Sequence, residues 1–287
     1  MAIIIDEKTR VLVQGITGNQ GAFHTEQMLA YGTNIVGGVS PRKGGQTLLG
    51  VKVFTTVNEA VAEVQPDASV IFVPASFVKD QAFEAMNAGI KTVIIITEHV
   101  PVHDEMDIMA YAREQGAKII GPNTFGIISP GKCKIGIMPN QVFNTPGKVG
   151  VVARSGTLSY EIVYNLSTQG VGQSTVVGMG GDRVVGLSFI DVLQMFEADP
   201  ETEAVVLVGE IGGNAEETAA EYIKKMSKPV VAFLAGKSAP PGKRMGHAGA
   251  IIERGKGSFD GKVVALKEAG AQVAQFPWDV AKLLDKV

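Results

Sequence analysis

The chain runs twice through one rhythm, and that rhythm limits its folds more than any other feature. Short β-branched runs alternate with longer amphipathic segments. RVLVQG (10–15), NIVGGV (34–39), ASVIFV (68–73), KTVIIIT (91–97) and AKIIG (117–121) have strand length, with helix-like stretches between them. Residues 122–148, with four prolines, four glycines and no helical period, break the pattern. It then resumes with KVGVVAR (148–154), QSTVVGMG (173–180), AVVLVGE (204–210), PVVAFLAG (229–236) and AQVAQF (271–276). Such alternation predicts βαβ units, hence parallel sheets with helices on both faces. Two α/β domains are expected, each an open sheet, and a length of 287 residues suits two.

Composition removes several classes of function. A formal net charge of −3 argues against bulk binding to nucleic acid or to an anionic membrane. The single cysteine, Cys133, excludes an intrachain disulfide and metal sites built on several cysteines, and fits a reducing compartment. MAIII is apolar too briefly for a leader or a spanning helix, so a soluble, cytoplasmic protein is expected. The 35 glycines exceed ordinary usage and suit many tight strand-to-helix turns.

The first such turn is Gly15-Ile-Thr-Gly18-Asn-Gln-Gly21. Glycines there let a backbone approach a phosphate, and the following helix offers free N–H groups and a positive dipole end. An NAD site would carry an acid at the end of the second strand. Here Arg42 and Lys43 stand there instead, which suits an additional phosphate, as in NADP or coenzyme A. In the second half a strand runs into Ser155-Gly156-Thr157 and then a helix. Ser or Thr there caps the helix, and its amides can bind an anion. Glu210 ends the third strand of that half, on the edge where parallel sheets hold ligands. His247 sits in RMGHAGAII, with Gly246 before it and Ala248, Gly249 and Ala250 after it. Small neighbours leave room for a bulky group such as a phosphoryl at the ring. Glu210 could hold the other ring nitrogen, and the Ser155 helix start could receive the phosphate. A loop histidine with no role is the alternative. His24, His99 and His103 have ordinary helical or loop settings.

Together these motifs resemble the alpha subunit of succinate–CoA ligases. The resemblance covers essentially the whole chain, through VQGITGNQG, GGVSPRKGG, GPN, KIGIMP, GKVGVVARSGTLSYE and GKRMGHAGAII. It implies a Rossmann-like CoA-binding domain over 1–122 and an irregular connection over 123–147. A flavodoxin-like ligase domain with a phosphohistidine loop would fill 148–287. It implies phosphorylation of His247 by ATP or GTP, with Glu210 holding the ring. The phosphate would pass to a small carboxylic acid, giving an acyl phosphate that the CoA thiol displaces. Thr17, Gly18, Asn19, Gln20, Lys43, Ile96, Thr97 and Glu98 then fall on CoA contacts, Tyr160 on the substrate site, and the helix start at Ser155, Gly156 and Thr157 on the phosphate site. The nucleotide, with Mg, would bind a separate ATP-grasp beta subunit in an αβ or α2β2 assembly.

Two departures bear on the acid. GPNTFG at 121–126 stands where the family usually has GPNCPG, and GGDRVVG at 180–186 where it tends to have GGDP and small residues. Phenylalanine adds bulk and threonine a hydroxyl able to bond a polar substituent. A preference shifted from the common type is expected, with succinate first and malate or citrate as alternatives. An NADP-dependent oxidoreductase is the reading outside this class, and it gives the GHAGA loop no purpose.

Overall fold

The computed structural model describes residues 2–240, 242–253 and 256–285. The first half winds as β1 (Val11–Gln14), α1 (Asn19–Tyr31), β2 (Ile35–Val39), β3 (Thr47–Leu48), β4 (Val51–Phe54), α2 (Val57–Val64), β5 (Ala68–Ile71), α3 (Val78–Asn87), β6 (Thr92–Ile95), α4 (Val102–Gln115) and β7 (Lys118–Ile120). Six strands run parallel in the order β4-β2-β1-β5-β6-β7, and β3 joins the β4 edge antiparallel. Numbered by their place along the chain, the six read 3-2-1-4-5-6, the Rossmann order. The order reverses between β1 and β5. The pair β3–β4 has no counterpart in the alternation read from the sequence.

The second half holds β8 (Gly126–Ser129), β9 (Cys133–Gly136), β10 (Pro146–Ala153), α5 (Gly156–Thr168), β11 (Gln173–Gly178), α6 (Phe189–Ala198), β12 (Ala204–Glu210), α7 (Ala215–Ile223), β13 (Val230–Ala235), α8 (Phe259–Glu268), β14 (Gln272–Ala274) and α9 (Asp279–Leu284). Its sheet is ordered β14-β13-β12-β10-β11-β8-β9. From β11 outward the five parallel strands read 2-1-3-4-5, the flavodoxin-like order, which reverses between β10 and β12. Strands such as β1, β5, β11 and most of β12 are buried along their length, which is why they read as unbroken apolar runs.

The segment expected to be an irregular connection is not one throughout. β8 and β9 form a fully buried hairpin that extends the second sheet antiparallel from β11. Glycines that look like breakers are what let its strands meet. A Cβ on Gly126 would fall 2.0 Å from the Ile135 carbonyl oxygen, and one on Gly136 would fall 2.2 Å from that of Phe125. The hairpin region also fastens the two halves. Thr33 Oγ1 donates to the Lys134 carbonyl at 2.7 Å, and Asn140 Nδ2 to that of Gln27 at 3.0 Å. Among the described residues no helix is long and apolar enough to cross a membrane.

Candidate functional site

Both sheets turn the carboxyl ends of their reversing strands toward one cleft of about 810 Å³. Open α/β sheets hold ligands at such points. From the first half come Gly18, Asn19 and Gln20 after β1, Phe72 to Pro74 after β5, and Ile96, Thr97 and Glu98 after β6. From the second come Arg154, Ser155, Gly156 and Thr157 after β10, then Tyr160, with His247 between the halves.

Two helices open on this space by their amino ends. Gly18 occupies the cap position of α1 and has no side chain to close it. A Cβ on Gly21 would fall 2.1 Å from the Gly15 carbonyl oxygen, so only glycine lets the first turn of α1 sit this close to β1. Ser155 occupies the cap position of α5 and makes no side-chain capping bond, contrary to the capping role expected for it. The first N–H groups of both helices are therefore left for an anion, with the dipole in its favour.

His247 is held from one side. Its Nδ1 lies 2.7 Å from Glu210 Oε2, and the Glu210 side chain is almost wholly buried. That bond raises the imidazole pKa above 6.5, and burial partly offsets it. The ring lies against Gly181, where a Cβ would come within 2.5 Å of it. Glycine near the histidine thus serves the packing of the ring and of Arg154, whose Nη2 would be 2.9 Å from a Cβ on Gly249.

Several residues of this arrangement escaped the sequence reading. Arg154, buried at the end of β10, donates from Nη2 to the Asp182 carbonyl at 2.9 Å, and its Nε stands 3.4 Å from Glu210 Oε1. Asp182 accepts from Asn123 Nδ2 at 3.1 Å. Arg183 donates from Nε to the Ala248 carbonyl at 3.1 Å and pairs with Glu253 at 3.0 Å, fastening the histidine loop. Arg154 follows a parallel strand just before the cap, a position that could have drawn notice. Arg183 had appeared only as a departure from a family pattern. His24 also lines the cleft, stacked on Phe72 at 5.6 Å, whereas His99 and His103 are exposed.

Two expected contacts lie outside the cleft wall. Thr17 Oγ1 lies 2.9 Å from Ser40 Oγ, and Lys43 is exposed on the loop after β2. Thr124 corrects another expectation. Its hydroxyl donates to the Gly178 carbonyl at 2.6 Å and accepts from the Gly126 N–H at 3.0 Å, so its proton is already committed to the backbone. Phe125 lines the cleft and meets Tyr160 edge to face at 5.8 Å. Burial pushes the Tyr160 phenol up to about 12, so it is a neutral donor at ordinary pH. Among the described residues, no group of three or more His, Cys, Asp or Glu could hold a metal ion.

Known proteins share this plan. Residues 6–99 match the CoA binding domain family, and residues 152–272 match the CoA-ligase family. The chain is 61% identical over 287 residues to succinate–CoA ligase [ADP-forming] subunit alpha 2 of Archaeoglobus fulgidus, covering 100% of both chains. It is 61% identical over 275 residues to the corresponding alpha subunit of Methanothermobacter thermautotrophicus, covering 96% of this chain and 93% of that one. ATP citrate lyase from Methanothrix soehngenii, solved with citrate and coenzyme A, superposes with a TM-score of 0.89 at 25% identity over 99% of this chain. This chain spans about half, 51%, of that lyase chain.

Proposed function

The chain belongs to the succinate–CoA ligase alpha-subunit family, and from that premise we propose that it makes succinyl-CoA reversibly from succinate, CoA and ATP, carrying phosphate on His247. It is an acid–thiol ligase subunit that binds CoA and works with a beta subunit. The NADP-dependent oxidoreductase alternative is set aside, because the relatives at 61% identity over nearly the whole chain are ligase subunits.

The observation that carries the proposal is the pair Glu210–His247 at 2.7 Å in a cleft onto which α5 opens. Glu210 accepts the proton on Nδ1, which leaves the Nε2 lone pair as the nucleophile. The Nε2–P bond forms as the bond from phosphorus to the leaving ADP oxygen breaks. The ring gains positive charge, and the Glu210 carboxylate balances it. The first turn of α5 holds the phosphoryl oxygens. A succinate oxygen then attacks phosphorus, the Nε2–P bond breaks, and neutral imidazole returns. CoA supplies the thiol that displaces phosphate from the acyl group. Tyr160 is suited to orient the acid, and Phe125 to bound its space.

Gly18, Asn19, Gln20, Ile96, Thr97 and Glu98 form the wall assigned to CoA. Thr17 and Lys43, on the same carboxyl edge of the first sheet, are assigned to its outer, phosphorylated part. ATP and Mg are assigned to an ATP-grasp beta subunit, in an αβ or α2β2 assembly. The test is to incubate the reconstituted complex with γ-labelled ATP. An acid-labile, base-stable label should appear on this chain and vanish in His247→Ala with CoA binding kept. Label at the wild-type level in that variant removes His247 from the role.

A further inference from the structure

Glu210 is held from behind as well as from the front. Pairing of β12 with β10 ends at Val208, so the main-chain N–H of Glu210 has no partner in β10. It donates to Glu216 Oε1 at 3.0 Å. Glu216 lies in the first turn of α7, and its side chain is fully buried. Its other oxygen pairs with Lys262 Nζ from α8, also fully buried. The same ammonium reaches Glu217 Oε2 at 2.8 Å and the Gly213 carbonyl at 3.4 Å. Gly209 makes room for the arrangement, since a Cβ there would fall 2.6 Å from Glu216 Oε1.

A buried ion pair is a poor way to gain stability, because desolvation of the charges offsets their attraction, and apolar residues of similar volume often do as well. Packing of α7 on α8 would be served by leucine and methionine. What apolar residues cannot supply is an oxygen fixed at the N–H of the residue that grips the histidine. We infer that Glu216 and Lys262 are positioning residues of the phosphoryl-transfer site: they fix the main chain of Glu210, and through it the orientation and basicity of His247. The inference rests on the assignment of His247 as phosphate acceptor and Glu210 as its partner. Neither Glu216 nor Lys262 touches the reacting atoms. Their action passes through one hydrogen bond.

The experiment measures single-turnover labelling of the reconstituted complex by γ-labelled ATP across pH. In Glu216→Leu/Lys262→Met both charges go together, so none is left buried alone. Labelling should slow by about tenfold or more, the scale seen when the outer partners of metal-ligating histidines are removed. The midpoint of its pH profile should also move to lower pH as Glu210 loosens. In Glu216→Gln/Lys262→Met the amide oxygen can still accept the Glu210 N–H, and most of the rate and the midpoint should return. Gly209→Ala, which displaces Glu216 Oε1 without removing a charge, should reproduce the midpoint shift even if the leucine variant fails to fold. Wild-type rate and midpoint in a folded leucine variant, or equal losses in the leucine and glutamine variants, overturn the inference. His247→Ala separates the two claims. If it still takes up label, the assignment of the acceptor has failed. If it is silent while the positioning variants behave as wild type, only the positioning role has failed.

Discussion

Gly181 has no side chain because the His247 ring stands where one would go. Gly181→Ala should therefore push the ring off Glu210. A displacement near 1 Å at a reacting group costs on the order of 10²-fold, so labelling should fall by that order while the CoA-binding half keeps its ligand. Unchanged labelling would mean that the ring has room to move. Glu210→Gln tests the other side of the ring. The carboxylate raises the imidazole pKa, and attack requires neutral imidazole, so the wild-type rate should climb with pH through a midpoint above 6.5. The variant should climb at lower pH, to a plateau lower by about 10²-fold or more. A profile of unchanged shape would remove the carboxylate from the chemistry. In the sequence these residues are 37 and 66 positions from the histidine. The small-residue loop advertised a crowded or busy ring, but its crowding partner, Gly181, carried no mark among 35 glycines.

Helices α5 and α6 begin with the same residue and use it differently. Ser188 accepts from the Asp191 N–H at 3.3 Å, and Asp191 accepts from the Ser188 N–H at 2.8 Å, a reciprocal capping box. Ser155 makes no such bond and faces the cleft. Ser188→Ala should thus cost about 1 kcal/mol in urea unfolding, and Ser155→Ala only a few tenths, since no capping bond is lost. Equal costs would show that Ser155 caps its helix in solution. A serine cap was read from the sequence at Ser155. The divergence was not, because it depends on what the surrounding chain leaves open at each helix start. Most other elements were legible because a doubly covered parallel strand is apolar throughout. The hairpin β8–β9 was hidden by its own glycines, which permit close strand contact here but resemble loop residues in a bare sequence.

At the scale of the molecule, the cleft exists because two differently ordered sheets point their reversal points at one another. The alternation foretold a parallel sheet in each half, and the strand orders came with the family resemblance alone; the meeting of the sheets followed from neither, since ordinary polar residues are among those that join the halves. Glu105 on α4 is one of them. It is 2% exposed, and burial first, then the Asp182 carboxylate beside it, raise its pKa to about 8 from an ordinary 4.5. Between those values the unfolded chain has released this proton and the folded chain keeps it. Stability from this source therefore falls as pH rises through the window. Each tenfold difference in proton affinity between the two states is worth about 1.4 kcal/mol. Glu105→Gln should flatten the change in unfolding free energy between pH 5 and 8. A fall as steep as the wild type's would place the proton elsewhere. The hairpin carries a further consequence, for anyone wishing to take the molecule apart. Its Lys134 is 1% exposed, and its strands belong to one sheet while Lys134 bonds to Thr33, just past the first helix of the other half. Trypsin should spare Lys134 in the native protein, and neither piece of a gene divided at residue 122 should yield an independently soluble product. What reads as the seam is stitched from both sides.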